Sequence, residues 1–242
     1  MPINNENLFD VRYQNWVMKV RIPPREGSHP VLFLIHGWTG DEDAMWIFAS
    51  RLPKDFLMIS LRGLYSSALG GYSWLPQKDD GWGNVDDFRP ATDKLLDLLV
   101  DLEPNGSRRL EIGPSEVREA LTRVDFSRVS LLGFSQGAAL SYTFALLHPE
   151  RVHLLGGLSG FLPDGSEALV SGRPLDGKEI FVTHGTKDAM VPIARARWTV
   201  DLLEQAGAQV AYCEDDVGHK LSAKCFNAME TYFYRQYQTS FK

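Results

Sequence analysis

The chain has 242 residues, 44% of them hydrophobic and 11% aromatic, which is ample material for a buried core and excludes disorder as its main state. Its 31 acidic against 25 basic side chains leave a net charge of −6, a poor match for nucleic acid or an anionic membrane, whose phosphates need a basic face. No stretch approaches the ~20 apolar residues of a bilayer span, and Met1-Pro2-Ile3-Asn4 lacks the basic start and apolar run of a secretory signal. The expectation is therefore a soluble, cytoplasmic protein with no nucleic-acid partner and no stable membrane insertion. Cys213 and Cys225 are too few for a disulfide framework or a four-ligand zinc site, and in a reducing compartment both read as packing residues.

In chain order, Trp16–Ile22 mixes polarity and reads as an outer strand. Val31–Ile35 and Phe56–Ser60 are continuously apolar, as strands covered on both faces are. Arg62–Asp87, rich in glycine, is too long for an ordinary connection. Ala91–Leu102 sets Leu95, Leu98, Leu99 and Leu102 on one helical face, and Ser115–Arg123 is a shorter helix candidate. Val129–Leu132 is the next buried strand, followed by Ala138–Leu147, apolar nearly all round and so a buried helix. Strand Val152–Leu158 leads into a second long excursion, Ser159–Gly177, punctuated by turn residues. Strand Ile180–Thr183, helix Ile193–Ala206, outer strand Gln209–Glu214 and helix Leu221–Tyr237 complete the chain. Strands alternating with helices predict an α/β fold with a mostly parallel sheet and helices on both faces, in one domain spanning residues 1–242. Open sheets of this kind bind ligands beyond their strand C-termini, where both long excursions fall.

The chemistry centres on Gly133-Phe134-Ser135-Gln136-Gly137. This Gly-x-Ser-x-Gly run stands directly between strand Val129–Leu132 and helix Ala138–Leu147, where a sharp turn holds a nucleophilic serine in strained backbone geometry. A serine hydroxyl needs a positioned base and an acid to orient it, and in this topology the acid and then the histidine follow the serine in the chain. Asp188, after strand Ile180–Thr183, and His219, after strand Gln209–Glu214, stand in those places. Asp215 and Asp216 are nearer His219 in sequence but share its loop, so Asp188 is preferred. His184 reads as a loop-orienting residue, and the carboxylates of Glu214-Asp215-Asp216 read as solvated rather than metal-binding; no metal is expected. His36-Gly37-Trp38-Thr39-Gly40 ends strand Val31–Ile35, and the backbone N–H groups of Trp38 and Gln136 are the expected oxyanion donors. Trp74, Leu75 and Trp82 on the first excursion and Phe161 and Leu162 on the second are candidates to line a substrate pocket.

These motifs, taken with Arg62-Gly63, Gly71-Tyr72-Ser73-Trp74, Leu158-Ser159-Gly160, His184-Gly185…Asp188…Val191-Pro192 and Gly218-His219, resemble the phospholipase/carboxylesterase family of α/β-hydrolases. That family includes the acyl-protein thioesterases and small bacterial esterases. The resemblance runs from about residue 30 to residue 220. It implies a Ser135–Asp188–His219 triad, oxyanion donors at Trp38 and Gln136, hydrolysis of an ester or thioester, and no cofactor. Thr39 stands where many relatives carry glycine, Trp38 is bulkier than the leucine of the thioesterases, and Ala189 replaces a frequent proline. The His36 loop is thereby closer to the bacterial esterases. Carboxylesterase action on short- to medium-chain esters is the expectation. The alternatives are a thioesterase or lysophospholipase with the same triad, or a ligand-binding protein of this fold with little turnover.

Overall fold

Eight strands pair into one sheet in the order β1-β2-β4-β3-β7-β8-β9-β10 in the computed structural model, which describes residues 7–76, 82–103 and 112–241. The strands are β1 (Leu8–Tyr13), β2 (Trp16–Arg21), β3 (Val31–Ile35), β4 (Leu57–Leu61), β7 (Val129–Phe134), β8 (Val152–Leu158), β9 (Glu179–Gly185) and β10 (Gln209–Asp215). From β4 to β10 the pairing is parallel, β2 pairs antiparallel with β4, and β1 pairs antiparallel with β2. Two short strands, β5 (Tyr65–Ser66) and β6 (Tyr72–Ser73), form a separate hairpin within the first long excursion.

The apolar runs are continuous because both faces are covered. On β3, Phe33 and Ile35 join the core on one side of the sheet and Leu32 and Leu34 the core on the other. Helices α2 (Val85–Leu102), α3 (Ser115–Leu121), α4 (Gln136–Leu147) and α5 (Ile193–Gln205) contribute to the first core. Helices α1 (Trp46–Ala49) and α6 (Ala223–Phe241) contribute to the second.

Three features depart from the sequence reading. Strand β1, whose apolar alternation is weak, covers β2, so β2 is not the edge of the sheet. Helix α2 begins six residues ahead of Ala91 and runs through Pro90. Asn84 caps it reciprocally with Asp87, accepting from Asp87 N–H while the Asp87 carboxylate accepts from Asn84 N–H. Cys213 on β10 and Cys225 on α6 are not separate packing residues but a disulfide pair, closing a 12-residue separation around the loop that carries His219.

Register brings the strand ends together. Ile35 of β3 lies beside Gly133 of β7, Gly133 beside Gly157 of β8, Leu158 beside Thr183 of β9, and Gly185 beside Asp215 of β10. The turns after β3, β7, β9 and β10 therefore leave one edge of the sheet side by side.

Candidate active site

Ser135 sits where β7 turns into α4, with φ +52° and ψ −118°, a strained conformation for a residue with a side chain. Its N–H donates to Leu158 O at 2.8 Å, which ties the turn to the end of β8. The flanking glycines are required by contact. A Cβ on Gly137 would stand 2.1 Å from Ile35 O, and one on Gly133 2.3 Å from Gly137 O, so strand and helix approach too closely for any side chain there. Among the described residues, the backbone N–H groups of Gln136 and Trp38 take no internal hydrogen bond.

The loop bearing Trp38 is held from below by His36, which is fully buried. Gly63 N–H donates to His36 Nε2 at 2.8 Å, so the ring proton is on Nδ1, which donates to Gly37 O at 2.6 Å. Burial pushes this imidazole below its ordinary pKa, consistent with a neutral ring making both bonds. Thr39 has φ +67°, a strained value for a β-branched residue, and its N–H donates to Tyr72 O at 2.9 Å. Tyr72 N–H donates back to Gly40 O at 2.8 Å, so the β5–β6 hairpin is pinned directly to this loop. Arg62 reinforces the join, forking onto the Glu42 carboxylate, bonding Tyr72 Oη at 3.0 Å and lying 4.5 Å over its ring.

Across the sheet, the Asp188 side chain is fully buried. Its Oδ1 accepts from the N–H groups of Met190 and Val191, both at 2.9 Å, and its Oδ2 accepts from His219 Nδ1 at 2.7 Å. His184 Nε2–H donates to Val191 O at 2.7 Å, bracing the same turn from beneath. The two aspartates on the histidine's own loop are otherwise engaged. Asp215 accepts from Asp216 N–H, and Asp216 pairs with Lys187 at 2.7 Å. Glu214 is gripped by Arg197 through two 2.8 Å bonds, which bring its carboxyl pKa down to about 2. His219 also packs against Phe134, the residue before Ser135, with ring centroids 5.0 Å apart. No hydrogen bond to the Ser135 hydroxyl is found among the described residues.

A cavity of about 550 Å³ opens beside Ser135 and Gln136. Leu75, Trp82 and Phe161 line it, Trp82 meeting Phe161 edge-on at 4.9 Å. Trp74 and Leu162 do not reach it, and their reading as pocket residues is corrected. Trp74 is 0% exposed, donating its indole N–H to His36 O at 2.8 Å and packing on the His36 ring at 5.1 Å. Leu162 is fully buried in the core, and its backbone N–H donates to Thr199 Oγ1 at 2.8 Å. The sequence reading missed Leu69, Met190 and Val191, which complete the apolar wall. A large apolar residue at a hairpin tip before Gly70-Gly71 was the available signal for Leu69. Ser73 was missed too: its hydroxyl donates to Gln136 Oε1 at 3.1 Å, beside Trp74 N–H at 2.9 Å, fastening the hairpin to the serine turn.

A strained serine between strand and helix, at the C-terminal edge of a mostly parallel sheet covered on both faces, defines an α/β-hydrolase fold. The model of the phospholipase/carboxylesterase family matches residues 18–236, and the chain belongs to that family. Acyl-protein thioesterase 1 of Eremothecium gossypii is 30% identical over 189 residues, 73% of this chain and 74% of that protein. Carboxylesterase SOBER1 of Arabidopsis thaliana is 32% identical over 118 residues, 46% of this chain and 50% of that one. The fold is shared with the carboxylesterase of Bacillus cereus, at TM-score 0.74 and 20% identity over 91% of this chain and 94% of that one. The carboxylesterase of Mesorhizobium loti is as similar, at TM-score 0.74 and 20% identity over 95% and 99%.

Proposed function

We propose that the protein is a serine carboxylesterase of one domain that cleaves short- to medium-chain carboxylic esters through an acyl-enzyme on Ser135. The observation that carries this reading is the 2.7 Å bond between His219 Nδ1 and a buried Asp188 carboxylate whose other oxygen is held by two backbone N–H groups. An aspartate fixed in this way keeps the imidazole proton on Nδ1 and leaves Nε2 free as a base. As Ser135 Oγ bonds to the acyl carbon, its proton passes to His219 Nε2. The carbonyl oxygen becomes an oxyanion that accepts from Trp38 and Gln136 N–H, both free for the purpose. Collapse breaks the bond to the leaving alcohol, which takes the proton from Nε2. Water, deprotonated by the same nitrogen, then releases the acid and regenerates the serine. No cofactor enters these steps.

The cavity beside Ser135 takes the acyl chain. Each buried methylene there contributes ~0.8 kcal/mol, so kcat/KM rises roughly fourfold per carbon until the space is filled. A p-nitrophenyl ester series from acetate upward tests this, with Ser135→Ala as the control. A rise that saturates at medium chains, abolished by Ser135→Ala, supports the reading; Ser135-independent hydrolysis defeats it. Acyl-thioesterase or lysophospholipase action with the same residues is the second reading. It is favoured by the relative named acyl-protein thioesterase 1 and by the exposed Leu69 and Met190 at the cavity rim, suited to longer chains. Matched esters and thioesters of one acyl group separate the two.

Among the described residues no helix is long and apolar enough to cross a membrane. A cytoplasmic place of action has to coexist with the Cys213–Cys225 bond, which reducing compartments rarely maintain. Thiol titration of the natively isolated protein decides whether that bond persists where the protein works.

A further inference from the structure

A second cavity, of about 390 Å³, lies on the other side of Trp38 from the first. Ile47, Phe48, Phe134, Leu221 and Phe226 line it, and His219 stands in its wall. The two cavities divide the reacting groups between them. Ser135 and Gln136 line the first and not the second, His219 lines the second and not the first, and Trp38 lines both. We propose that the second cavity is the leaving-group subsite and that it selects esters of bulky, uncharged, apolar alcohols, aromatic ones above all. The assignment rests on the esterase reading given above.

The geometry of acyl transfer supplies the occupant. The group that leaves must have its oxygen within reach of the nitrogen that protonates it, so the alcohol extends along the histidine while the acyl chain extends from the serine. The cavity on the His219 side therefore faces the alcohol. Its walls then specify the chemistry. Phe48 stacks on Phe226 at 5.4 Å and lies 6.3 Å from Phe134, offering ring faces and edges to another aromatic group. Lys220 is the one side chain of fixed charge among the described lining residues, and no carboxylate is there to receive a cation.

Two further features point to a ligand. Six large apolar side chains are exposed among the described residues, and four of them, Trp38, Ile47, Leu69 and Met190, line the two cavities. Ile47 is 68% exposed between buried Trp46 and Phe48, an apolar side chain that gains nothing from water. The Cys213–Cys225 bond also holds the start of α6, fixing Phe226 on one side of the cavity and the His219 loop on the other.

The test fixes the acyl group and varies the alcohol: methyl, benzyl and 2-naphthylmethyl butyrate. The proposal expects kcat/KM to rise by at least about tenfold from methyl to naphthylmethyl ester. Ile47→Ala should lower the naphthylmethyl-to-methyl ratio ~3- to 10-fold without changing the butyrate-to-acetate ratio of methyl esters, and Val100→Ala, exposed elsewhere, should change neither. Because Ile47 is on the surface, its loss leaves folding intact. Direct binding of 2-naphthylmethanol to the Ser135→Ala protein, weakened by Ile47→Ala, supports the subsite without any turnover. A flat alcohol series in an enzyme whose activity Ser135→Ala abolishes overturns the subsite and leaves the esterase reading standing. A change in acyl-chain preference on Ile47→Ala also overturns it, since the two cavities would then be assigned the wrong way round. Loss of the esterase reading itself shows as hydrolysis indifferent to Ser135→Ala.

Discussion

The two halves of the candidate site are held by different physical means. On the β3–β7 side, Ser135 and the Trp38 loop are placed by backbone: positive φ at Ser135 and Thr39, and strand-to-helix contacts that exclude any Cβ at Gly133 and Gly137. On the β9–β10 side, Asp188 and His219 are placed by side-chain bonds and a disulfide, on backbone that is not strained at either residue. The first half is therefore sensitive to volume. The second is sensitive to charge and redox state.

That contrast is sharpened most by Asp188→Asn. The amide leaves the packing nearly unchanged but removes the acceptor that fixes the imidazole proton on Nδ1, so kcat should fall on the order of 10⁴-fold with little change in KM. If Asp216→Asn, on an exposed carboxylate paired with Lys187, proved equally damaging, the acid would be misassigned. Gly137→Ala probes the other half. One methyl group placed 2.1 Å from Ile35 O must displace α4 from β3, at a cost of about 3 kcal/mol, and a denaturant midpoint unchanged from wild type would show that the contact yields easily.

Reduction, or Cys213→Ser with Cys225→Ser, removes a cross-link between residues 12 apart and should cost about 3 kcal/mol of stability. Turnover (kcat) should drop along with it, because His219 lies within the closed loop, while KM for methyl esters changes less. Equal stability of the oxidised and reduced protein contradicts it.

A pH effect on stability follows from two almost fully buried imidazoles. Burial lowers the pKa of His36 and of His184 in the folded protein. Their unfolded counterparts titrate near ~6.5, so below that value the unfolded chain binds protons that the folded one refuses. Stability is thus complete above about pH 6.5 and declines as pH falls through the window beneath it. Urea midpoints across that range should show the fall; a midpoint that rises on acidification has the wrong sign. The smallest effect is expected at Thr39→Gly, where relief of strain of ~1–3 kcal/mol is offset in part by the extra chain entropy of glycine, ~0.5–1 kcal/mol. A modest rise in Tm is the expected outcome.

Much of this was legible in the sequence because the determinants are local. The buried strands and the serine turn follow from short runs of adjacent residues. What was not legible depends on distant partners. Trp74 and Leu162 carry apolar side chains on loops over the site, and nothing local reveals that one packs onto His36 and the other into the core. The cysteine pair was hidden for the same reason, since its closure depends on α6 packing back beside β10. Helix α2 starts ahead of Ala91 because the cap formed by Asn84 and Asp87 outweighs the one hydrogen bond that Pro90 forfeits.

On the proposed reading Ser135, held in its strained turn between β7 and α4, is the nucleophile. Reaction with a fluorophosphonate, read by intact mass and peptide mapping, tests it most directly. A single adduct on Ser135 is expected, lost in Ser135→Ala and formed far more slowly in Asp188→Asn. An adduct on any other serine, or an actively hydrolysing protein that takes up no label, would contradict it.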